Sequence, residues 1–126
     1  MTENELAKIV FDSGLKVHKA LGPGLLESAY EECLYYELAR QGLQVEKQKG
    51  LPLVYEEVKL EVGYRADLLV ENKLIVEVKS VEALNDIHLA QVLTYLKLSN
   101  CKLGLLINSN TLLFKDGVKR VINGSL

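Results

Sequence analysis

The chain has 126 residues, 48% of them hydrophobic and 25% charged, with a formal net charge of −2. That profile fits one domain of residues 1–126 with a single core, excludes a disordered or fibrous chain, and offers no basic excess of the kind phosphate binding usually needs. Cys33 and Cys101 form no CxxC pair, no apolar run approaches the ~20 residues that span a membrane, and MTENELAKIV is acidic and amphipathic, so a cytoplasmic protein without zinc, disulfides or membrane contact is expected.

Thr2 and Glu5, three apart, predict a capping box opening the first helix. Leu6, Ile9, Val10, Ser13, Val17, Ala20 and Leu21 then share one stripe, and Gly22, Pro23 and Gly24 interrupt it. A second helix is predicted from about Leu25 to Gln41, with Gly42 as the residue just past its end. Its buried arc is Leu26, Ala29, Tyr30, Cys33, Leu34 and Leu38. Glu27 lies at the arc's edge and Glu37 within it, so the wheel does not single out Glu27.

The period then changes from helical to alternating. LQVEKQ, LPLVYE, VKLEVGYRADLLV and KLIVEVKS read as strands, followed by a third helix over about 83–98. KLGLLIN reads as a buried strand and GVKRVI as a short last one near an edge. This order predicts an α/β fold: a mixed sheet, made of an antiparallel meander plus a crossover strand, flanked by helices.

The hairpin GYRADLLVENKLIVEVKS carries the chemistry. Ala66, Leu68, Val70, Leu74, Val76 and Val78 form an apolar face. Arg65, Asp67, Leu69, Ile75, Glu77 and Lys79 form the other, apolar beside the turn and charged away from it. A three-residue turn at 71–73 sets Val70 against Leu74, Asp67 against Glu77 and Arg65 against Lys79. A two-residue turn would send Asp67 and Glu77 to opposite faces. Opposed carboxylates repel, and a divalent cation such as Mg²⁺ or Mn²⁺ removes the conflict. The plain alternative is a solvated face held by Arg65–Glu77 and Asp67–Lys79 diagonals.

On the third helix His88, Gln91, Val92 and Tyr95 share a stripe, projecting three polar-capable side chains together. A lone His there is more often structural than catalytic. Leu89, Leu93 and Leu96 make a second apolar side, which asks for another helix or a second subunit, as in a homodimer.

Asp67 followed by Glu77-Val78-Lys79 on an adjacent strand resembles the D…(D/E)xK signature of the PD-(D/E)XK nuclease superfamily. GLLESAY, residues 24–30, is similar to the motif of the GxxExxY proteins placed in that superfamily. GYRADLLV, LIVEVKS, HLAQVLTYLKL and KLGLLIN resemble the same family in the same order, across nearly the whole chain. The resemblance implies a restriction-endonuclease-like core and a metal-dependent nuclease acting on DNA, or less readily RNA. It implies Asp67 and Glu77 as metal-binding carboxylates, the Val78 carbonyl as a third ligand, and Lys79 as the group that orients water or meets phosphate charge. Glu27 resembles the acidic residue that many members supply from the first core helix, which adds it to the metal-binding set. Gln91 and Tyr95 resemble a QxxxY element that supports the site or touches nucleic acid, with Tyr64, Arg65 and His88 nearby candidates. Ala66 stands where the superfamily name has Pro. A non-catalytic nucleic-acid-binding or regulatory subunit on the same fold is the alternative that small size and acidic charge favour.

Overall fold

The computed structural model describes residues 1–61 and 63–126. Two helices come first, α1 (Glu3–Leu21) and α2 (Glu27–Ala39). Strands β1 (Val45–Gly50), β2 (Leu53–Tyr55), β3 (Val58–Leu60), β4 (Arg65–Val70) and β5 (Leu74–Lys79) follow. Helix α3 (Asp86–Ser99), strand β6 (Leu103–Asn108), a 3₁₀ turn (Phe114–Gly117) and strand β7 (Val118–Ile122) complete the described elements.

The capping box forms as expected, with Thr2 Oγ1 accepting from Glu5 N–H and Glu5 reaching back to Thr2 N–H at 2.9 Å. Gly22, at φ +77, turns the chain out of α1. Helix α2 docks through Tyr30, Leu34 and Leu38, all fully buried. Tyr30 also donates its hydroxyl to the Gly14 carbonyl at 2.9 Å, tying α2 to α1 inside the core. The expected arc is displaced at its start. Leu26 sits at the helix's first capping position and is 75% exposed, while Glu31 is buried instead. Helix α3 starts later than its sequence pattern suggests because Asn85 caps it.

Five strands form one mixed sheet in the order β1-β4-β5-β6-β7. β1, β4 and β5 are an antiparallel meander; β5 and β6 run parallel, joined through α3; β7 closes antiparallel against β6 as an edge. Helices α1 and α2 cover one face over Leu68, Val70, Leu74, Val76 and Val78. Helix α3 covers the other, where Val92, Tyr95 and Leu96 meet Leu69, Ile75 and Leu106. Leu96 thus shares its contact surface with Val92, so the expected second apolar side of α3 is partly core.

The stretch VKLEVGYRADLLV is not one strand. Its first part, β3, pairs with β2 as a separate two-stranded ribbon, and only the second part joins the main sheet as β4. The ribbon leaves and re-enters where Gly50 and Arg65 are ladder partners.

Close packing of α3 on β6 depends on Gly104, where an added Cβ would lie 2.7 Å from Val92 Cγ1. Gly104→Ala is expected to overpack this contact and lower stability by about 1–3 kcal/mol, measurable by urea denaturation. An unchanged midpoint would mean that α3 yields at no cost.

Candidate functional site

The turn at 71–73 has the three residues expected, with Glu71 at φ +52 and Asn72 at φ +55. It sets Val70 against Leu74 and Leu68 against Val76. Continued, that register places Asp67 opposite Glu77 and Ala66 opposite Val78, but the ladder ends at Leu68–Val76. Side chains take over from the main chain at this point. Asp67 Oδ2 accepts from Val78 N–H at 2.8 Å, and Asp67 N–H donates to Glu77 Oε2 at 2.5 Å. Short acidic side chains compete for backbone donors in this way. β4 nevertheless keeps its pairing to β1 through Lys49–Ala66 and Gly50–Arg65. β4 and β5 therefore part here, and two carboxylates fill the gap.

This opening explains one departure from the expected faces. Ala66 packs with Leu69 and Ile75 on the α3 side, not with Leu68 and Val70, so strict alternation fails across Asp67. It also leaves a main-chain group at the site. In a strand the N–H and C=O of one residue point the same way. The Val78 carbonyl therefore faces the gap, as its N–H does.

Glu77 is only 3% exposed. Burial, and then the charge of Asp67, pushes its carboxyl up to about 8, against the pull of the Asp67 N–H and of Lys79. Among the described residues neither Arg65 nor Lys79 makes an ion pair, so neither diagonal of the solvated-face alternative is formed. The Lys79 carbonyl accepts from Ser109 N–H at 2.9 Å, fixing the strand end. Just beyond, the buried Asn108 side chain brackets Val81, accepting from its N–H at 3.1 Å and donating to its carbonyl at 3.0 Å.

Tyr95 also reaches this region. It is buried against Tyr64, ring centroids 6.3 Å apart, and its phenol is pushed up by burial and then by the Glu77 and Asp67 charges. Gln91 is exposed on α3, and Arg65 is exposed at the start of β4. His88 serves the cap of α3: its Nδ1 accepts from Asn85 N–H at 3.1 Å, while its own N–H donates to Asn85 Oδ1. Glu27 is exposed, and its Oε1 accepts from Ser80 N–H at 2.9 Å, joining the start of α2 to the residue after Lys79.

Two residues that the sequence patterns did not single out complete the cluster. Glu31, one helical turn after Glu27, is 8% exposed, and burial raises its carboxyl. Gln48 joins it to the gap: its Nε2 lies 2.9 and 3.1 Å from the two Glu31 oxygens and 3.2 Å from Asp67 Oδ1. Glu31 falls beside Glu27 and Leu38 on the wheel, at the edge of the buried arc, and was open to discovery there. Gln48 was not, because its approach depends on a backbone turned to φ +50 inside β1.

Among the described residues no three His, Cys, Asp or Glu side chains are gathered to hold a metal ion. The residues at the gap fit Mg²⁺ or Mn²⁺ differently. Two carboxylates with no ion-pair partner among the described residues, beside a main-chain carbonyl, form an oxygen donor set that leaves positions for water, as Mg²⁺ commonly keeps.

A mixed meander-plus-crossover sheet with helices on both faces, opened at a carboxylate-bearing hairpin, defines a restriction-endonuclease-like fold. The family model described as the PD-(D/E)XK nuclease superfamily matches residues 4–121, and the chain belongs to that superfamily. No curated protein and no solved structure matches it. No helix among the described residues is long and apolar enough to cross a membrane.

Proposed function

We propose that the chain is a divalent-metal-dependent nuclease that hydrolyses phosphodiester bonds in DNA, and that within its superfamily it stands with the GxxExxY proteins. The observation that carries this reading is the pair Asp67 and Glu77 in the β4–β5 gap, with Lys79 on the strand of Glu77 and in no ion pair among the described residues.

Asp67, Glu77 and the Val78 carbonyl would hold Mg²⁺ or Mn²⁺. When bound, the ion supplies a water of lowered pKa and shields phosphate charge from the carboxylates. Glu77 would have to release its proton to hold the ion, since burial and the Asp67 charge raise its carboxyl to about 8. Lys79 presents a compact ammonium that makes no ion pair among the described residues, so it would be free to meet a phosphate oxygen or orient the attacking water. Tyr95, and Tyr64 beside it, bound the α3 side of the gap. Arg65 and Gln91, both exposed, would be the groups to contact the nucleic-acid backbone.

The test is incubation of the protein with linear, circular and single-stranded DNA, and with RNA, in Mg²⁺, Mn²⁺ or EDTA. Cleavage of DNA that EDTA abolishes is expected. Ion binding without cleavage of any substrate would instead assign the chain a non-catalytic binding or regulatory role on the same fold.

A further inference from the structure

Among the described residues Gln48 hydrogen-bonds both Glu31 and Asp67, and it does so from an uncomfortable backbone. At φ +50 in the middle of β1 it occupies the left-handed region, which a non-glycine residue holds only when its surroundings over-determine it. The register from Lys47–Leu68 to Lys49–Ala66 would make Gln48 the partner of Asp67, yet that rung is missing. What replaces the rung is the side chain. Its amide has two N–H groups and faces two carboxylates, donating to Glu31 and to Asp67 Oδ1.

The consequence is geometric. With Oδ1 held by Gln48 at 3.2 Å and Oδ2 by Val78 N–H at 2.8 Å, both Asp67 oxygens have fixed donors. The remaining lone pairs are then aimed by three elements at once: β1, β5 and, through Glu31, α2. A neutral donor is the suitable group for this place. A carboxylate would add repulsion, whereas a cation would compete for Asp67 with any metal ion.

We infer that Gln48 is a positioning residue, which orients Asp67 for metal binding while Glu31 anchors the Gln48 amide. The metal part of this inference rests on the function proposed above; the orientation of Asp67 does not. Outer-shell partners of metal-binding groups commonly matter by about 10- to 100-fold in affinity.

Two variants separate this role from simple structural support. Gln48→Leu removes the donor and keeps side-chain bulk. Gln48→Gly removes the donor but relieves the left-handed backbone, so its thermal midpoint should stay near wild type. In both, the Val78 amide should lose hydrogen-exchange protection relative to the mid-sheet Leu106 amide, and Mn²⁺ measured by titration calorimetry should bind about 10- to 100-fold more weakly. Unchanged Val78 protection in a folded Gln48→Gly protein overturns the inference. So does lost protection with unchanged Mn²⁺ affinity. If wild-type protein takes up no Mn²⁺, the metal reading fails, and the Val78 amide still decides whether Gln48 orients Asp67.

Discussion

Replacing Lys79 by Ala is expected to lower metal-dependent cleavage by roughly 100- to 1000-fold, the usual cost of removing one group that stabilises developing charge. Fold and ion binding should survive. Lys79 is half-buried and makes no ion pair among the described residues, and its strand is held through its own carbonyl and by Asn108 bracketing Val81. Asp67→Ala should behave differently. It removes the acceptor of Val78 N–H as well as a proposed metal ligand, so cleavage should fall to background and stability by about 1–3 kcal/mol. Single-turnover cleavage rates, paired with urea denaturation of each variant, separate the two effects. Wild-type rates in a folded Lys79→Ala protein would remove Lys79 from the chemistry.

The second large effect is a pH dependence located at Glu77. Its carboxyl lies at about 8 in the folded chain against an ordinary 4.5. Between those values the folded chain keeps a proton that the unfolded chain has released. Stability of the metal-free protein should therefore fall as pH rises through that window, by up to about 1.4 kcal/mol per pH unit. Below the window both states are protonated and the contribution is constant; above it both are ionised and the full penalty applies. Glu77→Gln cannot ionise, and its amide carbonyl can still accept from Asp67 N–H. The metal-free variant should thus outlast wild type at pH 9 while losing cleavage. Mn²⁺ should raise the wild-type thermal midpoint more as pH approaches 8, because a proton then competes less, and should barely move that of the variant. Parallel pH profiles for the two metal-free proteins would show that Glu77 does not carry the dependence.

The hairpin register was legible because a residue slip would have moved every apolar side chain to the wrong face. Beside the 71–73 turn both faces of β5 are buried, so there the length of the turn, rather than burial, holds the register. That hold weakens at the charged end, where polar side chains can bond the backbone. There the sequence pattern predicted Asp67 opposite Glu77 as a ladder pair, and the chain opens instead. Helix α2 illustrates the same limit. Tyr30, Leu34 and Leu38 were readable from their spacing, but Leu26 falls at the capping residue, where helical periodicity no longer decides burial. Gln48 lay beyond reach for a stronger reason: its role depends on one dihedral angle, and nothing in LQVEKQ marks that angle.

The ribbon of β2 and β3 has a consequence for how such a site can diversify. Gly50 and Arg65 are already partners in the main sheet, and directly beyond them Leu51 N–H donates to the Tyr64 carbonyl at 2.8 Å, closing a neck. Past that neck β2 and β3 pair with each other and not with the main sheet. The ribbon can lengthen, shorten or change its exposed residues Val54, Tyr55 and Val58 without shifting a rung of β1 against β4. The exposed residues of the ribbon and the carboxylates in the gap are therefore separately inheritable: one set can change while the other stays in register.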